Sequence, residues 1–149
     1  MENNFQMVAK TLFGFEDLLV KELTQLGALR VKKGVRNVTF FGDTGFMYKC
    51  NLALRTAIKI LKPIASFKVI NEKDLYDKIY KIKWENYIDQ TSTIAINSTV
   101  HSNKFTHSQY ISLKAKDAIV DRIRSISGER PSVDLKFPDL KINIHIDKL

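Results

Sequence analysis

The stretch SLKAKDAIVDRIRSISGERPSVDL, residues 112–135, reads as an amphipathic helix that runs into a polar exit punctuated by proline. On a period of about 3.6 residues, Ile111, Ala115, Ala118, Ile119, Ile123 and Ile126 fall on one face, and Lys114, Asp117, Asp121 and Arg124 on the other. Lys116 lies at the border, where its stem can cover the core while its ammonium stays near the helix's amino end. Cations there oppose the helix dipole, and the unpaired amides of a helix start favour an anion such as phosphate. Two lysines near one amino end therefore point to a bound anion. The plainer alternative is helix solvation, with Lys114 pairing with Asp117 for about 0.2–0.5 kcal/mol. Arg122 projects towards the apolar side, so it needs a carboxylate partner and reads as structural.

The rest of the chain supplies the partners of this helix. Residues 5–11 read as a strand, Gly14 breaks the pattern, and a helix over 15–26 places Leu18, Leu19, Leu23 and Leu26 on one side before Gly27 ends it. Strands over 28–33 and 36–42 join around Gly34, residues 44–54 return to helical spacing, and 58–70 is extended. Strand, helix, strand, strand, helix, strand is the ferredoxin-like βαββαβ order. A second cycle begins at Glu72 with a helix over 72–82, which the segment through Trp84 and Tyr87 closes. A strand over 93–101 follows, then the helix over 108–127 stopped by Gly128 and Pro131, and a strand over 140–147 in which Leu140, Ile142, Ile144 and Ile146 alternate. The fold class is α+β in two small units, 1–66 and 67–149, whose boundary is marked by the return of acids at Glu72.

The order of residues carries more than the periodicity. Lys116-Asp117-Ala118-Ile119-Val120, followed by the Arg130-Pro131-x-Val133-Asp134 exit into a strand, resembles the THUMP domain of RNA-modifying enzymes. Upstream, TLFGFEDLLVKELTQLGA at 11–28, Asn51-Leu52-Ala53-Leu54-Arg55-Thr56-Ala57 and Trp84 resemble the amino-terminal region of class I methyltransferases that act on guanine in large-subunit ribosomal RNA. The resemblance implies a ferredoxin-like unit packed against a THUMP α/β domain, with RNA, 23S ribosomal RNA in particular, as partner. It implies no cofactor in this chain, and a catalytic domain in cis beyond Leu149 that uses S-adenosylmethionine. It also implies one further strand after 140–147, so that the chain is expected to stop at a boundary. The THUMP portion of a transfer-RNA sulfurtransferase or methylase is an alternative, against which the Gly14-Phe15-Glu16-x-x-Leu19 opening argues. A ferredoxin-like regulatory module that binds a metabolite or a protein is another.

Composition narrows the classes. Hydrophobic residues make up 44% and charged residues 27%, enough for a packed core and no case for disorder. No apolar run approaches the roughly 20 residues of a bilayer span, and the start has no signal-peptide pattern, so the expected setting is the cytoplasm, away from membranes. The single Cys50 sits in an apolar helical pattern, as a buried structural thiol would, and the three histidines are scattered without metal-ligand spacing. The net charge of +8 is bunched. Between Leu23 and Asn71 the basic residues, Arg30, Arg36, Arg55 and Lys68 among them, face the single acid Asp43; Gln90–Lys116 has no acid at all. Such clustering favours a polyanion.

Candidate RNA contacts follow from that second run. Asn103, Lys104 and Phe105 lie between a strand and the long helix, where an aromatic ring and a cation suit a base and a phosphate. Phe105 serves equally well as a core plug. Lys114 and Lys116 complete the site, and Arg55 is a secondary candidate from the resemblance. Catalytic signatures are missing: there is no G-x-G-x-x-G and no P-loop. The Asn/Asp-Pro-Pro-aromatic motif of the resembling enzymes is also absent, since Pro63, Pro131 and Pro138 stand alone. No residue is assigned to catalysis or to a metal, and the chemistry is expected of the full-length enzyme.

Overall fold

In the computed structural model, which describes residues 3–147, the chain divides between Ser66 and Phe67 into two units. The first is built on β1 (Phe5–Lys10), with α1 (Glu16–Leu26), β2 (Leu29–Lys33), β3 (Asn37–Gly42), α2 (Thr44–Ala53) and β4 (Lys59–Leu61) following in chain order. The sheet order is β2-β3-β1-β4 with every neighbour antiparallel, the ferredoxin-like arrangement expected from the element order. Alternation places Met7 and Ala9 of β1 and Val38 and Phe40 of β3 on the face that receives Leu19 and Leu23 of α1 and Cys50 of α2. All seven are fully buried. Burial pushes the Cys50 thiol up to about 11, so it is an inert core residue, as its apolar surroundings led us to expect. Asp43 caps α2 by accepting the Phe46 N–H at 2.7 Å, and Gly27 ends α1 at φ 100°.

The extended run expected over 58–70 is a strand only at Lys59–Leu61. Those residues pair with Val8–Lys10 of β1. Pro63, with no N–H to donate, stands two residues after Leu61, where the ladder has ended.

The second unit comprises α3 (Glu72–Lys81), a 3-10 turn at Trp84–Asn86, β5 (Thr93–His101), α4 (Ser108–Ser127), β6 (Ser132–Val133) and β7 (Leu140–Asp147). Strand β5 lies between β6 and β7 and is parallel to both. Its core joins Leu75 and Ile79 of α3, Trp84, Ile94 and Ile146 to the inner stripe of α4. The Trp84 indole N–H donates to the Ile79 carbonyl at 2.8 Å, so the one polar atom of the ring is satisfied where it is buried. On α4 the buried positions are Ile111, Ala115, Ala118, Ile119, Val120 and Ile123. Ile126, which the period assigns to the same stripe, is 55% exposed. The last turn of α4 extends past the edge of the core before Gly128 closes the helix at φ 80°. Among the described residues no helix is long and apolar enough to cross a membrane.

These burials separate two isoleucines that look equivalent in sequence. Ile119→Ala is expected to destabilise the second unit by about 2–5 kcal/mol through the cavity it leaves. Ile126→Ala should stay within about 0.5 kcal/mol of wild type. Urea unfolding of both variants, followed by Trp84 fluorescence, reads the difference.

Candidate nucleic-acid interface

The connection from β5 to α4 is pinned from inside. The ring of Phe105 is 5% exposed and belongs to the core with Ile111 and Trp84, so it acts as the plug and is not offered to a base. With that anchor buried, Asn103 and Lys104 stay outside, and the Lys104 N–H donates to the Ser102 hydroxyl at 3.2 Å. Helix α4 then starts at His107 with no side-chain cap. Its first hydrogen bond runs from the Ile111 N–H to the His107 carbonyl, which leaves the amides of the first turn directed outward. An open recess of about 470 Å³ lies there, lined by Thr106, His107, Ser108, Gln109, Tyr110 and Leu113.

The lysines of α4 do not converge. Two positions apart on a helix are about 200° apart around its axis, and the side chains part accordingly. The Lys114 ammonium is 6.0 Å from the ring centroids of both Tyr76 and Tyr110. Lys116 instead pairs with Asp117 at 3.2 Å, so the partner expected of Lys114 belongs to Lys116. Arg122 does find its carboxylate: its guanidinium donates to Glu85 at 2.6 and 3.2 Å.

Tyrosines that the sequence reading passed over complete this surface. Tyr76 and Tyr80 stack one turn apart on α3 with centroids 6.1 Å apart, and the Arg122 guanidinium lies 5.9 Å from the Tyr80 ring. The Tyr76 hydroxyl donates to Asp121 at 2.6 Å; that bond, and burial after it, push the phenol up to about 12. Tyr110 is 41% exposed beside the recess. The four-residue spacing of Tyr76 and Tyr80 was readable as one helix face, but that this face meets Lys114 depends on the packing of α3 on α4.

Arg55 belongs to the first unit, where three connections are tied together at one end of the sheet. Thr11, which is buried, donates its N–H to the Arg36 carbonyl at 2.9 Å and its hydroxyl to the Thr56 carbonyl at 2.6 Å. The carboxylate of Glu16, also buried, accepts the N–H groups of Gly14 at 2.7 Å and Arg36 at 3.0 Å. Glu22 accepts the N–H groups of Arg55 and Thr56 and the Thr56 hydroxyl at 2.7 Å. Hydrogen bonding, led by the Arg36 N–H, holds Glu16 below the ordinary glutamate range. Glu22 is also lowered: burial pushes it up, but the bonds from Thr56 and Arg55 outweigh that. Arg55 itself is exposed. No group of His, Cys, Asp and Glu side chains that could hold a metal ion occurs among the described residues.

An antiparallel βαββαβ unit followed by a parallel-stranded α/β unit, with an open recess at the start of its long helix, defines an α+β protein of two-part architecture. The THUMP domain model matches residues 69–149, and the chain belongs to that family. The model of the RlmL ferredoxin-like domain matches residues 6–61. The chain is 41% identical over 133 residues to an RNA methyltransferase candidate of Synechocystis sp., covering 89% of this chain and 35% of that protein. It is 41% identical over 135 residues to the ribosomal RNA large subunit methyltransferase K/L of Aeromonas hydrophila, covering 91% of this chain and 19% of that protein. It thus spans about a third or less of the length of these relatives. Among solved structures, SMU.472, a methyltransferase candidate in complex with SAH, superposes with a TM-score of 0.82 at 26% identity, covering 98% of this chain and 39% of that one.

The Glu16 clamp carries a pH signature. A carboxylate whose folded pKa is lowered stabilises the fold fully above its unfolded pKa, and that contribution is lost as pH falls through the folded value. Glu16→Gln is therefore expected to lower the melting temperature at neutral pH, with the gap to wild type closing as the solution is acidified through the carboxylate range. Thermal melts of both proteins from neutral to acidic pH check this; a gap that stays constant would contradict it.

Proposed function

We propose that this chain is the RNA-holding part of a ribosomal RNA methyltransferase, two domains over 1–66 and 67–149 that present RNA to a catalytic domain elsewhere in the same polypeptide. The observation that carries this reading is the coincidence, in one THUMP unit, of an uncapped helix start and its open recess with exposed Lys104 and Asn103 beside them. Outward amides and a lysine suit phosphate oxygens, Asn103 can hydrogen-bond a base or ribose, and the half-exposed Tyr110 ring beside Lys114 gives a base a stacking surface. The names of the relatives support RNA, and large-subunit ribosomal RNA in particular, as the substrate. They favour this over the transfer-RNA and regulatory alternatives. A ribosomal substrate in turn fits a cytoplasmic protein.

The SAH-bound neighbour supports S-adenosylmethionine as the methyl donor of the whole enzyme. The residues described here do not fit it. The parallel strand β5 runs into Ser102-Asn103-Lys104 with no glycine to let a nucleotide approach the backbone. The donor is accordingly assigned to the catalytic domain, and this chain's own residues bind and orient RNA.

Phosphate contacts without a base-reading motif give weak, salt-sensitive binding. The double variant Lys104→Gln, Lys114→Gln is expected to weaken binding of a ribosomal RNA hairpin and to reduce the slope of log affinity against log salt by about 1.4–1.8, at roughly 0.7–0.9 per phosphate contact. Lys116→Gln should change the slope less, because its ammonium is engaged by Asp117. Anisotropy titrations at several salt concentrations, with circular dichroism as folding control, test both. A wild-type chain that binds no RNA would overturn the function.

A further inference from the structure

The end of the first unit where the β1–α1, β2–β3 and α2–β4 connections meet is built in an unusual way. Leu12 is 59% exposed, Phe13 73% and Phe15 43% on the first connection, and Val35 73% on the second. Loops that expose apolar rings are ordinarily loose, yet this one is held at every turn. Thr11 ties it to both neighbours, Phe15 donates its N–H to the Leu12 carbonyl at 3.1 Å, and Glu16 closes it through Gly14, whose φ of 91° glycine alone adopts freely. The same carboxylate holds the N–H of Arg36, a non-glycine residue at φ 56°. Backbone in that region costs energy and persists where its surroundings impose it. The result is a fixed backbone for the connection that carries Phe13, tied directly to the connections that carry Arg36 and Arg55.

Charge decides what this end receives. The acids at this end are turned inward or already paired: Glu16 and Glu22 onto main-chain N–H groups, and Asp17 onto Lys33 at 2.9 Å. Asp43, the single acid of the run from Leu23 to Asn71, caps α2. The side chains of Arg36 and Arg55 are exposed and form no ion pair among the described residues. An apolar protein partner would have to cover both guanidinium groups; a polyanion with flat faces satisfies the cations and the ring together.

We propose that this end of the first unit is a second RNA contact that takes an unpaired stretch, with Phe13 stacking on a base and Arg36 and Arg55 on the phosphates either side. It rests on the RNA-holding function proposed above and adds the unit, the residues and the single-stranded character of what they bind. Duplex RNA keeps its base faces stacked internally and offers Phe13 nothing, so the contact discriminates by strandedness, not by sequence.

The test uses this chain, a two-stranded RNA duplex with a single-stranded tail of about eight adenosines, and the same duplex with blunt ends. Phe13→Ala is expected to weaken binding of the tailed RNA roughly tenfold while leaving the blunt duplex unaffected, and Phe13→Trp to retain wild-type affinity. The double variant Arg36→Gln, Arg55→Gln should lower the salt slope for the tailed RNA by about 1.4, at roughly 0.7 per single-stranded phosphate. Melting temperatures should match wild type, since these side chains are exposed; if Phe13→Ala unfolds, the arginine variant decides. Wild-type preference for the tail that survives in Phe13→Ala and in the arginine variant overturns this site and leaves the RNA-holding function standing. A wild type that binds neither RNA overturns both. Unchanged RNA affinity accompanied by altered self-association of Phe13→Ala in sedimentation would make the patch a protein interface and overturn the proposal.

Discussion

The second unit depends on one burial, that of the α4 stripe. Ile111, Ala115, Ala118 and Ile119 have essentially no exposed surface, and they are what the parallel strands and α3 close upon. Nearly everything at the candidate interface is a by-product of that constraint. Because Ile111 must sit inside, the first turn of α4 protrudes at the rim of the core. Because Phe105 is drawn in beside Ile111, the residues before it are forced out. Hydrophobic burial, at about 25 cal/mol per Å², thus orders a polar loop that has few hydrogen bonds of its own.

In the first unit the comparable role falls to carboxylates, Glu16 buried and Glu22 partly so. Glu16 is 6% exposed, a position that is unfavourable for a charge unless donors meet it. Main-chain N–H groups from two different connections meet it. This satisfies the charge, fixes the connections to each other and removes a negative charge from the surface. Glu22, nearly two turns later on α1 and partly exposed, accepts main-chain N–H groups in the same way for the connection that carries Arg55. A chain whose net charge is +8 therefore presents an outer surface at this end that is more positive than residue counting alone conveys.

Within α4 and α3 the ionic partners were harder to anticipate than the helices. Lys114 and Asp117 are at good helical spacing, yet Asp117 meets Lys116, while Lys114 turns towards tyrosines from two helices. The difference in energy between such exposed pairings is a few tenths of a kcal/mol, so neighbouring aromatic rings are enough to redirect a flexible lysine. Arg122 was legible for the opposite reason. A guanidinium next to an apolar stripe leaves few acceptable arrangements, and Glu85 supplies one of them.

The sequence by itself determined the element order, the βαββαβ topology of the first unit, the span of α4 and its glycine stop, and the membership in the THUMP family. These follow from period, punctuation and residue order, which are local properties. It determined the inner stripe of α4 from Ile111 to Ile123 but not its end at Ile126, because where a core stops depends on how far the packed elements extend. Only the tertiary structure decided that Phe105 is a plug, that Tyr76 faces Lys114 while Tyr80 meets Arg122, and that the N–H groups of Arg36 and Arg55 are gathered by Glu16 and Glu22. The carboxylate contacts join residues 20 and 33 apart in the chain, and no periodicity within one segment encodes which distant backbone N–H a carboxylate will find.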